Sequence, residues 1–139
     1  LHGQDIVDMI KMGASGVQMG SRFAVSEESN AAPALKEYYL KSKPEDVVII
    51  HSPVGLPGRA VRTPFSARVM EGPVPPKQCD ACLKACQHNF CIIRSLIRAQ
   101  QGDVETGLVF TGEYLPRINE VLTVHEIFEQ LLREADAAN

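Results

Sequence analysis

The sequence has no long apolar run. Its longest strongly apolar stretches, such as Val47-Val48-Ile49-Ile50, fall far short of the roughly 20 residues a bilayer-spanning helix needs, which excludes a transmembrane span. It also lacks an excess of one charge. With 14 Lys+Arg against 17 Asp+Glu the net charge is −3, and both signs are spread evenly, which argues against a nucleic-acid surface. Long charged or low-complexity tracts and internal repeats are missing, so disorder is not expected. There is no Walker motif, no G-x-G-x-x-G and no nucleophile–base–orienter set. The first residues, Leu1-His2-Gly3, include no Met and no signal-peptide core, and a helical pattern begins within about four residues. That is the pattern expected of a chain cut inside a larger domain. What remains is 139 residues, 45 % of them hydrophobic, enough for one domain with a packed core.

Apolar spacing at Ile6, Val7, Met9 and Ile10 predicts a first helix over residues 3–13, with Asp5 and Lys11 favourably placed against its dipole and Gly13 as its stop. Val17-Gln18-Met19 is expected as a strand ending at Gly20-Ser21, followed by a helix from about Glu28 to Ser42 with Ser26 as candidate cap and Pro44 as terminator. Helix, strand and helix on short loops are α/β grammar. Further on, Val47 to Ile50 reads as a buried strand and residues 51–58 as a Pro/Gly loop. Residues 59–70 read as partly helical and residues 72–76 as a stiff linker. A helix with Ile92, Ile93, Leu96 and Ile97 on one face is closed by Gly102, and Leu108-Val109-Phe110 is a short apolar run ending at Gly112. The last helix starts at Thr123, which stands at capping-box spacing from Glu126.

Chemistry first becomes readable at Gly16-Val17-Gln18-Met19-Gly20-Ser21-Arg22-Phe23. A strand running into Gly-Ser exposes backbone N–H groups where no Cβ blocks an anion, which suits a phosphate, although most such pairs are plain turns. The wider stretch, from Gly13-Ala14-Ser15 through Phe23 to Ser26-Glu27-Glu28-Ser29, resembles the final β/α unit of the nitronate monooxygenase family, formerly called 2-nitropropane dioxygenase. FMN-dependent enoyl-ACP reductases are close relatives of that family. Its signature there is GA-x-GVQMGTRF-x-x-(T/S)-x-E, with Ser21 here in place of the usual Thr, and Ser52-Pro53-Val54-Gly55-Leu56-Pro57-Gly58-Arg59-Ala60 is similar to its S-P-V-G-x-P-G-R-A stretch. The resemblance covers residues 1 to about 68, and the cysteine-bearing tail is similar to a subset of members.

The resemblance implies an α/β fold: the last β/α units of an FMN-binding (β/α)8 TIM barrel over residues 1–43, a strand and loop lobe with a Pro-rich linker over 44–76, and a mainly helical, Cys-containing region over 77–139. It places Gln18, Met19, Gly20 and Ser21 at the FMN phosphate, Leu1 in the Ile position of a Gly-Gly-Ile loop after strand 7, and Gly3 near that loop on the phosphate side. The family's catalytic His lies earlier in the barrel and nothing here matches it, so no catalytic residue is assigned. It implies a cytoplasmic flavoprotein oxidoreductase, nitronate monooxygenase or enoyl-ACP reductase, acting on a small-molecule substrate, without nucleic-acid or membrane partners. Oligomeric state is not readable.

Cys79, Cys82, Cys86 and Cys91 form C-x2-C-x3-C-x4-C within 13 residues. Four such thiolates could hold Zn or an iron–sulfur cluster. Positions 79, 82 and 86 could instead be a buried helical stripe, and disulfides are a third reading. A non-catalytic Cys-rich metal-binding module is therefore an alternative function for the chain, with His88 as a possible substitute ligand. His51 could line a substrate mouth and Arg59 and Arg62 could pair an anion, but ordinary surface roles are commoner for all three. Tyr38 and Tyr39 fit a helix's core face, and His125 faces solvent by spacing.

Overall fold

The computed structural model describes residues 2–138; Leu1, with its expected place in a phosphate loop, lies outside them. Helix α1 (Gly3–Lys11) begins where the Asp5 carboxylate accepts the His2 N–H at 2.8 Å, and it ends at Gly13, whose φ of +101° is a left-handed turn open to glycine. α1 lies against the C-terminal helix α6 (Val124–Ala138), and the approach is close enough that a Cβ on Gly3 would sit 2.3 Å from the backbone of Leu131 and Ala135.

The expected strand at Val17-Gln18-Met19 is not formed. These residues belong to no regular element and have no partner strand among the described residues, and Val17 is exposed. A strand is a pairing, and local sequence cannot supply the neighbour. A short helix α2 (Ser21–Ala24) follows. The next helix, α3 (Pro33–Lys41), starts later than expected, because Pro33 occupies its first turn, where a missing N–H costs nothing; Ser26 is buried upstream and does not cap it.

After a 3-10 turn at Pro44–Asp46, β1 (Val47–His51) and β2 (Pro57–Val61) form an antiparallel hairpin with Val47 opposite Val61 and His51 opposite Pro57. So the Pro/Gly loop shrinks to residues 52–56, turning at Gly55 with φ +83°. β1 is not the fully buried strand expected from its composition: Ile50 is buried, whereas Ile49 is 54 % exposed. A one-sided antiparallel hairpin alternates in this way. The run at residues 108–111 lies along the other edge of β2, with Val61 N–H donating to Val109 and Thr111 N–H to Arg59.

Helix α4 (Pro64–Glu71) is capped reciprocally by Thr63 and Ser66, and α5 (Ile92–Gln100) is closed by Gly102 at φ +93°. α5 buries Ser95 and Ala99 and leaves Ile93 and Ile97 outside, so the expected apolar face is only partly covered. The cysteine segment is neither helix nor strand. Ala81 (φ +49°) and His88 (φ +57°) are left-handed, which rules out a helical stripe at 79, 82 and 86. At α6 the capping box forms as read: Thr123 N–H donates to Glu126 Oε2 at 2.8 Å and Glu126 N–H to Thr123 Oγ1 at 3.2 Å.

Two apolar clusters hold the chain together. One joins Val25, Leu35 and Tyr39 to Val61, Ala99, Val109, Leu115 and Ile118; the other gathers Ile50, Ala60, Phe65, Phe90 and Leu108. The first draws on all three of the segments into which the sequence was divided. Among the described residues no helix is long and apolar enough to cross a membrane.

Candidate functional site

The segment that sequence reading marked for phosphate chemistry opens onto a cleft of about 570 Å³, within the range of small-molecule sites. Gln18, Met19, Gly20 and Ser21 form one wall. The facing wall is residues 110–115, brought there because the 108–111 run pairs with β2 and then turns at Gly112. The two walls are tied together at one point. Gly112 N–H donates to Ser21 Oγ at 2.9 Å, and that hydroxyl lies 3.3 Å from Thr111 Oγ1.

Among the described residues, no backbone N–H from Gln18 to Arg22 donates a hydrogen bond; the first amides used are those of Phe23 and Ala24, both to the Gly20 carbonyl. Because no partner strand takes them, these amides remain available, and no Cβ stands at Gly20, around which there is open space. Two hydroxyls and a run of unpaired N–H donors at the edge of a cleft are the donor set an oxyanion needs. Arg22 does not add to it. It is buried, donating to the Glu120 carbonyl and the Gln130 side chain, and so fastens α2 to α6 and its approach. Glu113, on the facing wall, pairs with Arg59 at 3.3 Å, which offsets its charge beside the cleft.

Tyr39 forms the floor. It is buried, its hydroxyl donates to the Phe110 carbonyl at 2.6 Å, and burial pushes its pKa up to about 12. The sign follows from linkage. Above the ordinary value near 10 the unfolded chain loses this proton while the folded chain keeps it, so stability falls as pH rises from about 10 to about 12, by a few kcal/mol at most. Tyr39→Phe is expected to cost about 1 kcal/mol at pH 7 and to flatten this alkaline loss. Urea unfolding at pH 7 and pH 11 measures both, and an unchanged pH dependence in Tyr39→Phe would contradict the assignment.

The other predicted residues lie elsewhere. Gly3 is not in the cleft. It is held against α6 with its N–H donating to Glu134 at 2.7 Å, so its amide is already taken and its lack of a side chain serves helix packing. Cys79, Cys82, Cys86 and Cys91 are free thiols around a separate small cavity. Among the described residues, no three His, Cys, Asp or Glu side chains are grouped so as to hold a metal ion. His51 is exposed, with its carbonyl accepting from Asn89, and Tyr38 donates to the Arg62 carbonyl. His125 is solvent-facing beside Glu129. Sequence reading missed Thr111 and Gly112. A signal was present: an apolar run ending in a hydroxyl residue and glycine, the same grammar as Met19-Gly20-Ser21.

Three comparisons bear on this arrangement. A family model described as nitronate monooxygenase matches residues 1–134. Proteins described as "probable nitronate monooxygenase" are 34 % identical over 71 residues in Staphylococcus saprophyticus and 34 % identical over 77 residues in Staphylococcus aureus strain Newman. These matches cover 51 % and 54 % of this chain but only 20 % and 22 % of those proteins. Among solved structures, FabK from Thermotoga maritima superimposes with a TM-score of 0.79 at 31 % identity, over 98 % of this chain and 42 % of that one. A nitroalkane oxidase from Streptomyces ansochromogenes gives 0.68 at 18 % identity, over 99 % and 37 %, a likeness of fold. The chain thus spans about a fifth of the curated relatives it matches and about two fifths of the solved structures.

Proposed function

The chain belongs to the nitronate monooxygenase family, and on that premise we propose that it contributes the phosphate-binding part of an FMN-dependent oxidoreductase, completed by further strands as a (β/α)8 barrel. The observation that carries this reading is the set of unpaired amides from Gln18 to Arg22 together with the Ser21 hydroxyl, which meets Thr111 of the facing wall in one cleft. These residues fit a phosphate monoester. The N–H groups would donate to its non-bridging oxygens, Ser21 and Thr111 would add O–H donors, and Gly20 and Gly112 leave room for the anion to approach the backbone. The tie from Gly112 to Ser21 fixes the distance between the walls. Exposed Met9, Ile10, Met12 and Val17 are apolar side chains that neighbouring staves of a barrel would cover.

FMN bound there would supply the redox chemistry between an alkyl nitronate and O2. The residues of this chain would anchor and orient its phosphate end, and the one carboxylate on the cleft wall among the described residues, Glu113, is paired with Arg59. An NAD(P)H- and FMN-dependent enoyl-ACP reductase is the second reading. The greater likeness to FabK than to the nitroalkane oxidase favours weighing it. Assays of the protein for nitronate-dependent O2 uptake and for NAD(P)H-dependent enoyl reduction separate the two.

The anchor itself is tested by amide chemical shifts. Titrating the chain with FMN is expected to move the N–H signals of Gly20, Ser21, Arg22 and Gly112, whereas riboflavin, which lacks the phosphate, leaves them in place. Ser21→Asp, which puts a carboxylate at the anion's position, should abolish the FMN-specific shifts. Equal shifts with both ligands, or shifts confined to other regions, would sink the reading. Affinity in the isolated chain is expected to be weaker than about micromolar, because one phosphate supplies only part of a cofactor's binding free energy.

A further inference from the structure

The four cysteines are not used by the flavin anchor, and their surroundings are not those of incidental thiols. All four, with Asp80 and His88, border one cavity of about 20 Å³, about the room for a single atom-sized occupant. The chain curls back on two of the sulfurs: Ala81 N–H donates to Cys79 Sγ and His88 N–H to Cys86 Sγ, each at 3.4 Å. Each curl places a non-glycine residue in the left-handed region, Ala81 at φ +49° and His88 at +57°. Such conformations are strained for non-glycine residues and persist where the surroundings select them.

The two halves of the segment are held differently. Cys86 and Cys91 flank a run fastened to the folded body: Gln87 N–H donates to the Pro53 carbonyl, Val74 N–H to the Asn89 carbonyl, and Phe90 is buried in the second core cluster. Cys79 and Cys82 are exposed, and a bidentate Arg94–Asp80 pair with contacts of 2.7 and 2.6 Å ties their turn to α5. A neighbouring cavity lined by Lys77, Cys91, Arg94 and Arg98 brings three cationic side chains to the same flank. Four thiolates around a divalent ion carry a net charge of −2, and this flank offsets it.

We propose that Cys79, Cys82, Cys86 and Cys91 are a binding site for one thiophilic divalent cation of the Zn2+ class, with the Cys86–Cys91 half preformed and the Cys79–Cys82 turn closing onto it. Closure is required because no three of the described candidate side chains are yet grouped around a point. Each thiol releases its proton to solvent as it ligates, so affinity rises with pH. The ion binds without changing the oxidation state of any sulfur. The site is independent of the flavin reading and stands or falls separately.

The test uses the purified, metal-free chain under reducing conditions, with Co2+ as spectroscopic probe and Zn2+ as competitor. One equivalent of Co2+ is expected to bind with thiolate-to-cobalt charge-transfer bands and tetrahedral d–d bands, and to be displaced by Zn2+. In the zinc form all four thiols should be protected from a thiol reagent, a measurement on the wild-type chain that needs no variant. Cys82→Ser, at an exposed turn position, should weaken Co2+ binding at least about tenfold, while His125→Ala, which removes a solvent-facing imidazole on α6, leaves both spectrum and affinity unchanged. No Co2+ binding, a spectrum lacking sulfur bands, unchanged Co2+ affinity in Cys82→Ser, or iron with acid-labile sulfide in the purified protein would each overturn the assignment. So would a disulfide that persists under reducing conditions.

Discussion

Gly3→Ala is expected to separate α1 from α6 and to lower the Tm by roughly 10 °C, through a loss at or above the upper end of the ~1–3 kcal/mol usual for overpacking. The added methyl would sit 2.3 Å from the Ala135 nitrogen and the Leu131 oxygen. Both are main-chain atoms inside a helix, so no side chain can swing aside. The crossing would have to widen, and widening breaks the hydrogen bond from Gly3 N–H to Glu134. Gly16→Ala is the control, since a methyl there meets open space and the residue has no left-handed φ. Thermal unfolding followed by circular dichroism reads the difference. If the two variants melt together, the α1–α6 contact is not close-packed, and Gly3 returns as a candidate for anion binding.

Phe90→Ala should cost ~3–5 kcal/mol, the range for emptying a buried aromatic site. Phe90 is 1 % exposed and meets Phe65 edge-on at 5.7 Å between ring centroids, inside the cluster of Ile50, Ala60 and Leu108. Helices α4 and α5 and the hairpin converge there, so the cavity cannot collapse by moving one element. Urea unfolding should give a lower midpoint at unchanged m-value, with Phe90→Leu intermediate. Phe128→Ala removes a ring that is 53 % exposed and touches Phe23 at 5.6 Å, and its loss should stay near ~1 kcal/mol. Similar losses at both positions would mean that the second cluster is not a packed core.

Much of the helical architecture was legible in sequence because its determinants are local. Asp5 and Gly13 bracket α1, Gly102 closes α5, and Thr123 with Glu126 opens α6; each device acts within a few residues of chain. The errors have separate causes. Val17-Gln18-Met19 has strand composition, but strand formation needs a partner that local sequence does not specify. Pro33 overruled Ser26 because fixing φ at the first turn outweighs a merely available cap. The helical stripe at Cys79, Cys82 and Cys86 failed because spacing cannot show that Ala81 and His88 turn left-handed.

The candidate site divides in the same way. Gln18 to Ser21 could be named from motif alone, since a glycine and a hydroxyl following an apolar run are chemistry written in consecutive residues. Thr111 and Gly112 could not be matched to them, because 90 residues separate Ser21 from Thr111 and only the pairing of the 108–111 run with β2 closes that gap. Gly3 was assigned to the anion by its place in a motif, and three-dimensional packing gave its amide to Glu134 instead.

By itself, then, the amino-acid order determined the family, the brackets of α1, the close of α5, the start of α6 and one wall of the cleft, because these rest on short-range propensity and contiguous motif. The tertiary structure alone decided the opposite wall, the freedom of the amides from Gln18 to Arg22 and the convergence of four thiols on one cavity. Those depend on which distant segments meet, and that is set by burial of the shared apolar clusters.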